Sequence, residues 1–406
     1  MNKAKIALVA DVPNWAFFNI ADQIRLHLTD NYEFSIYYSY EHYDNRAEFV
    51  KKVFSINFDI VHFFDRFFLN NLILSIASAP DFVRENFIQA RITCSVYDHL
   101  LIGPADLQTY KNVFNYIVDG YTVSSEKLFN FYSELPEYPA PDMVIEDSVD
   151  PNLFYHENLD RFADRVSPLV IGWAGNSKWM EDLDGVDHKG LHTIIKPALE
   201  ELKREGINVI GRFADSSEQR NPLEEMVHYY NSIDIYVCAS DIEGTPNPVL
   251  EAMACGIPVI TTDVGIVTQA FGPLQQEYIL KARNVETLKE RIRQLVNSPE
   301  RRKALSEENL FQMKSWTREA ESRKWDTFFQ MILSNIKPEL SQPAAFEKNA
   351  FLMTKKDAKR LCIDLLHNCH YFELEEAYNA LIESYSWKVT EPLRRMFKFV
   401  RKFKKR

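Results

Sequence analysis

The sequence predicts an α/β protein built from two doubly wound parallel-sheet domains, with a helical extension after them. Short apolar runs that stop at polar residues recur at strand length with helical segments between them, the alternation of a parallel sheet covered on both faces. The series restarts after a polar stretch at 156–167, and a segment at 338–345 with two prolines and small residues breaks the pattern before the end. At ~100–200 residues per domain, the 406 residues suffice for two cores.

Residues 5–11 read as the first buried strand, ending at Asp11, with a helix at 19–28 after it. Further strands follow at 59–64, 91–96 and 120–124, and 144–154 leaves this first domain. The second series has strands at 169–173, 207–213, 234–238 and 258–262, with helices at 191–204, 223–230 and 285–310. The expected division is therefore a first domain at 1–155, a linker at 156–167, a second domain at 168–314, a returning helix at 315–337 and an extension at 338–406. Helices at 355–368 and 374–384 are expected in the extension, and no internal repeat is visible.

Composition narrows the classes. No apolar run approaches the ~20 residues of a membrane-spanning helix or forms a signal-peptide core, so a cytoplasmic protein is expected. Five cysteines (Cys94, Cys238, Cys255, Cys362, Cys369) at unrelated spacings argue for reduced thiols, and Cys362, His367, Cys369 and His370 match no usual zinc spacing. The net charge is −11, yet residues 388–406 hold nine basic residues and one acid, a +8 tail on a body of −19. The body repels nucleic acid. From Pro392 the tail places Leu393, Met396, Phe397, Val400 and Phe403 on one helical face opposite basic residues, the outline of a helix lying on an anionic membrane surface.

The chemistry concentrates between Ile242 and Ile260. Pro246 and Pro248 end an extended segment and preset a helical turn, whose backbone N–H groups near Val249 and Leu250 offer a seat for an anion. Glu251, expected in that turn, and Glu243 before it can flank a ligand and accept hydrogen bonds from its hydroxyls. An anion seat with two hydroxyl acceptors suits a sugar carried on a nucleoside diphosphate.

This stretch, with Gly244, Ala252-Met253-Ala254 and Gly256-Ile257-Pro258 around it, resembles the E-x7-E signature of the retaining family-4 glycosyltransferases. The resemblance implies the GT-B fold of two Rossmann-like domains facing a cleft. It implies that Glu251 holds the ribose and Glu243 the donor sugar, with Gly244, Thr245, Asn247, Val249 and Leu250 around them. Lys189, before Gly190, resembles the lysine that reaches the donor diphosphate. The family's arginine after the first glycine of this domain is replaced, since Asn176 follows Gly175; Lys178 and Arg212 are the candidate substitutes. In the first domain His99 resembles a histidine close to the donor sugar, and Asp11, Asn14, Trp15 and Arg66 stand at strand ends where acceptor recognition is expected.

No cofactor and no metal are expected; Asp182-Leu183-Asp184 has the D-x-D letters but sits in a polar loop rather than after a strand. The implied partners are a nucleotide-sugar donor, a glycan or lipid-linked acceptor, and an anionic membrane through 388–406. The implied activity is metal-independent, retaining sugar transfer. The alternatives are an epimerase on the same fold and a nucleotide-sugar-binding scaffold without turnover, the latter motivated by Asn176.

Overall fold

The structure is a computed structural model, and it describes residues 3–368 apart from 14, 99–103, 137, 158, 160–161, 163–167, 180–184, 220 and 335–354. The chain divides into two compact units: unit 1 comprises Met1–Ile145 and Ser322–Arg406, unit 2 Glu146–Glu321. The class is the expected α/β architecture of two parallel sheets covered by helices.

Unit 1 carries a six-stranded, all-parallel sheet: β1 (Ala4–Ala10), β2 (Tyr32–Tyr38), β3 (Ile60–Phe63), β4 (Arg91–Val96), β5 (Gly120–Val123) and β6 (Met143–Val144), in the spatial order β2-β1-β3-β4-β5-β6. Successive side chains of β1 go to opposite faces. Ala7 and Val9 join one core with Phe49, Phe68 and Phe87, whereas Ile6, Leu8 and Ala10 join a second with Trp325, Phe328 and Phe329. Burial on both faces is why the strand reads as an unbroken apolar run. Across β3, β4 and β5 runs a buried polar ladder: His62 Nδ1 meets Thr93 Oγ1 at 2.9 Å, its Nε2 meets Ser95 Oγ at 3.0 Å, and Ser95 bonds Thr122 at 2.8 Å. Burial pushes the His62 imidazole down to about 3, so it serves as a neutral link in the core.

The order places a switch point between β1 and β3, because the chain leaves β1 toward β2 on one side and β3 toward β4 on the other. Such a point opens a crevice at the carboxyl ends of the strands.

The extension helix Lys355–Asn368 belongs to unit 1. Its Ile363 is fully buried in the first core, and Cys362 and Leu366 pack against it. Lys359, 2 % exposed, donates to the Ala90 carbonyl at 2.9 Å and pairs with Asp119, and Arg360 grips Glu85 with bonds of 2.7 and 2.8 Å. The expected helix at 374–384, Cys369, His370 and the tail at 388–406 lie outside the described residues.

Unit 2 carries a four-stranded parallel sheet of β7 (Leu169–Gly175), β8 (Val209–Asp215), β9 (Ile235–Cys238) and β10 (Val259–Thr261), ordered β10-β9-β7-β8. Alternation again splits the core: Val170, Tyr236, Cys238 and Val259 face one side, Ile171, Trp173, Ile235 and Val237 the other. The switch point here lies between β7 and β9, where the loops after those strands diverge.

Two expectations about boundaries change. The division falls at 145/146 rather than 155, because Val149 and Phe154 sit in a core of unit 2 and Val149 bridges Thr317. The second is that the returning helix is Arg318–Ser334, with Ser322 onward in unit 1, where Trp325 is 1 % exposed. The described cysteines Cys94, Cys238, Cys255 and Cys362 are free thiols, three of them buried. No described helix is long and apolar enough to cross a membrane.

Candidate active site

In unit 2 the loops that follow β7 and β9 are stitched together at the switch point. Gly190 adopts a left-handed backbone (φ 70°), and a Cβ there would stand 2.5 Å from the Ala239 carbonyl oxygen, so only glycine permits this approach. Asp187 accepts from the N–H groups of Gly190, His192 and Thr193 at 2.7 to 2.9 Å, which holds its carboxyl below the usual range against the opposing effect of burial. Arg283 bonds the carbonyls of Ala239 and Asp187 at 2.8 and 2.6 Å, clamping both loops from beneath. Asp241 N–H donates to the His188 carbonyl at 3.0 Å, and His188 Nδ1 lies 3.0 Å from the Asp241 carboxylate.

This stitching brings Lys189 to Glu243, 54 positions away, with Nζ 2.5 Å from Oε1. Ser240 Oγ donates to the same oxygen at 2.8 Å, and the Lys189 ammonium lies 4.6 Å from the centre of the Trp179 ring. The Glu243 loop is backed by Gly265, whose added Cβ would fall 2.0 Å from the Gly244 carbonyl oxygen. An ammonium offers three donors, so Lys189 can keep Glu243 and still serve an anionic ligand.

Glu251 stands on the helix Asn247–Ala254, one turn after its start rather than within the first turn. Its Oε2 accepts from Tyr230 O–H at 2.7 Å. Burial pushes this carboxyl up, and the Tyr230 hydrogen bond and the Arg318 charge hold it back. The expected free N–H at Val249 is engaged, donating to the Pro246 carbonyl at 2.8 Å as the chain turns into the helix. That takes one donor out of the anion seat and leaves more of the work to Lys189.

The structure adds a residue that sequence reasoning passed over. Asp147 is buried, with the Thr245 and Asn247 side chains of the Glu243–Glu251 stretch close enough to favour its charged form. Burial, and then the nearby Glu321, push its carboxyl up to about 7, against the pull of Arg318 and of those two side chains. Its only signal in the sequence was membership of the segment leaving the first domain.

The other expected donor residues are placed less centrally. Gly175 receives Ser216 N–H at 2.8 Å, and Asn176 Oδ1 caps Lys178 N–H at 3.0 Å, with the Asn176 and Lys178 side chains exposed. Arg212 sits mid-strand in β8, opposite Gly172, and donates to the Ser232 carbonyl at 3.1 Å, away from the carboxyl edge. Asp182-Leu183-Asp184 lies outside the described residues.

In unit 1, Asp11 and Trp15 stand at the end of β1, but Asn14 and His99 lie outside the described residues. Arg66 corrects an expectation. It is 4 % exposed, bound to Asp98 at 2.5 Å and stacked 4.6 Å from the Phe67 ring, so its guanidinium fixes the end of β4 from inside and is spent there. Among the described residues no group of three or more His, Cys, Asp or Glu is arranged to hold a metal ion.

Residues 185–310 match the family described as Glycosyl transferases group 1. The chain is 34 % identical over 96 residues to a putative teichuronic acid biosynthesis glycosyltransferase, TuaC, of Bacillus subtilis (strain 168); the match spans 24 % of this chain and 22 % of that one. Among solved structures it is similar to sucrose-phosphate synthase from Thermosynechococcus elongatus (TM-score 0.58, 13 % identity, 82 % of this chain and 100 % of that one). It is also similar to a glycosyltransferase from Rickettsia africae ESF-5 (0.58, 14 %, 82 % and 100 %). A third similar structure is Anabaena Alr3699/HepE in complex with UDP and glucose (0.58, 13 %, 80 % and 99 %). At these identities the structures establish the shared GT-B fold.

Asp147 generates a test of its own. Its folded value near 7 lies above the ordinary 3.8, so the folded state keeps a proton that the unfolded chain releases as pH rises. Stability is thereby lost between about pH 4 and 7 and is level above that window. Asp147→Asn retains the acceptor oxygen without the titration. Relative to wild type, the variant should gain on the order of 4 kcal/mol across that window in urea unfolding, at about 1.4 kcal/mol per pKa unit. Parallel stability–pH curves for the two proteins would refute the burial assigned to this carboxyl.

Proposed function

We propose that this protein, whose residues 185–310 match the glycosyl transferases group 1 family, moves a sugar from a nucleoside-diphosphate sugar to a hydroxyl of a glycan or lipid-linked glycan precursor, with retention and without a metal ion. The observation that carries this reading is the convergence of Lys189 on Glu243 at the switch point of unit 2, with Glu251 farther along the same stretch and bonded to Tyr230 of the helix Leu223–Asn231. A cation beside one hydroxyl-accepting carboxylate, followed by a second, is the pattern a diphosphate between two sugars requires.

In this reading Glu251 accepts from the ribose hydroxyls, with Tyr230 orienting its carboxylate. Lys189 donates to the diphosphate while retaining Glu243, and Glu243 accepts from the donor sugar. As the bond from the anomeric carbon to the phosphate oxygen breaks, its electron pair stays on the diphosphate, where Lys189 stabilises the growing charge. The acceptor hydroxyl oxygen bonds the anomeric carbon on the same face and passes its proton to the departing phosphate oxygen. No protein nucleophile is needed. Lys189 fills the charge-neutralising role that a metal has elsewhere. The fold and the likeness to a UDP- and glucose-bound structure support this reading.

The basic tail supports a place for the protein on the cytoplasmic face of an anionic membrane, beside a lipid-linked acceptor. Each basic residue near such a surface contributes about 1 kcal/mol, so nine outweigh a modest repulsion from the acidic body.

Glu251→Ala should weaken nucleotide-sugar binding about tenfold or more while affecting turnover at saturation less, the expected cost of a lost charged hydrogen bond. Glu243→Ala should mainly lower turnover. Both are measured as initial rates of donor consumption across a panel of UDP-, GDP- and ADP-sugars. Unchanged rates in both variants would dismiss the assignment; epimer formation, or saturable binding with no turnover, would favour the epimerase or the scaffold. Removing residues 388–406 should abolish co-sedimentation with phosphatidylserine vesicles at moderate salt, and equal pelleting of both forms would dismiss the membrane role.

A further inference from the structure

The chain enters unit 2 at Glu146 and leaves it at Glu321, and the two ends of this unit are bound to each other. Val149 N–H donates to the Trp316 carbonyl at 3.0 Å, Val149 bridges Thr317, and the Ser148 hydroxyl donates to Glu321 Oε2. Asp147 and Glu321 are thereby drawn into one buried cluster, each 6 % exposed. The same layer reaches the donor stretch. Val149 and Phe154 share a core with Tyr230, Val249 and Leu250, Trp316 packs against that core, and the Phe154 ring lies 5.9 Å from the Tyr230 ring. Tyr230 in turn holds Glu251.

Arg318 opens the helix Arg318–Ser334, and its Nη1 lies 3.5 Å from Glu321 Oε2. Its guanidinium also favours the charged forms of Asp147 and Glu251, so among the described residues it is the cation common to these three carboxylates. Burial pushes Glu251 up, and after the Tyr230 hydrogen bond the Arg318 charge is what opposes that push. Charges buried in one cluster act on each other with less screening than surface charges do. Asp147, pushed up to about 7, holds a proton below that pH and leaves the guanidinium to Glu321 and Glu251.

We propose that Arg318 is the positioning residue of Glu251: anchored by Glu321, its guanidinium supplies the counter-charge for the carboxylate that receives the ribose hydroxyls. The ribose role rests on the transferase reading above; the pairing of Arg318 with Glu251 does not. A carboxylate accepts hydroxyl hydrogen bonds more strongly than a carboxylic acid does. Glu251 already lies above the ordinary carboxylate range, and removing Arg318 raises it further, so ribose recognition is lost at a higher pH as the solution is acidified. The groups acting on Glu251 are Tyr230 and Arg318; those acting on Asp147 are Glu321, Arg318, Thr245 and Asn247.

The test uses the full chain and two readouts. Calorimetry compares UDP, GDP or ADP, whichever binds wild type tightest, with its 2′,3′-dideoxy analogue across the acid to alkaline range. The ratio of the two affinities isolates the ribose contact and cancels the ionisation of the phosphates. Wild type should favour the ribonucleotide about tenfold. In Arg318→Gln the loss of that preference on acidification should begin about one pH unit higher, with recovery at the alkaline end. Arg318→Lys should follow wild type, and Arg318→Met replaces Arg318→Gln, with the same expected shift, if the latter does not fold. A preference that matches wild type at every pH, or that is reduced by the same factor at every pH, would overturn the proposal. The second readout needs no ligand. Urea midpoints of wild type, Arg318→Gln, Glu251→Gln and the double variant should be non-additive, the loss of Arg318 costing less once Glu251 is neutral, and additive midpoints would overturn the pairing. Should no nucleotide bind wild type while the midpoints are non-additive, the transferase reading fails and the Arg318–Glu251 pair stands.

Discussion

Gly190 passes so close to the Ala239 carbonyl that no side chain fits between them, and the meeting of Lys189 with Glu243 depends on that contact. The left-handed turn at Gly190 aims Lys189 across the gap between the loops following β7 and β9. Asp187 and Arg283 hold the turn in place through backbone groups, so the geometry rests on hydrogen bonds that are indifferent to ligand. The Lys189–Glu243 pair is thereby pre-organised. Only the charges of its two side chains need to respond when an anion arrives, which is the condition for electrostatic stabilisation to act on bond breaking rather than on folding.

The two units meet the same topological condition with different side chains. Each sheet opens a crevice where its strand order reverses. In unit 2 the crevice gathers a lysine between carboxylates and supports them with a tyrosine hydroxyl and a buried aspartate. In unit 1 the strand ends carry carboxylates, and the arginine beside them is buried.

Much of this was legible in the chain. The apolar runs located the strands because strands buried on both faces leave no polar alternation to obscure them, and the Glu243–Glu251 stretch marked the region that matches the glycosyl transferases group 1 family. What was hidden depended on contacts between residues distant in sequence. Nothing local indicates that Lys189 meets Glu243, that Tyr230 bonds Glu251, or that Asp147 is buried with Glu321 nearby. Arg66 stood at a strand end like any exposed ligand contact, and only Asp98, 32 positions on, shows that its charge is spent internally. The extension resembled an independent appendage until Ile363 and Lys359 placed its first helix in the core of unit 1.

The central claim is that Lys189, held beside Glu243, receives the second phosphate of a nucleotide. Calorimetric titration of wild type and Lys189→Met with a nucleoside diphosphate and the matching monophosphate isolates that contribution as a double-mutant cycle. The account predicts that wild type prefers the diphosphate about tenfold or more and that the preference vanishes in the variant, while monophosphate affinity changes little. An undiminished diphosphate preference in Lys189→Met would contradict it.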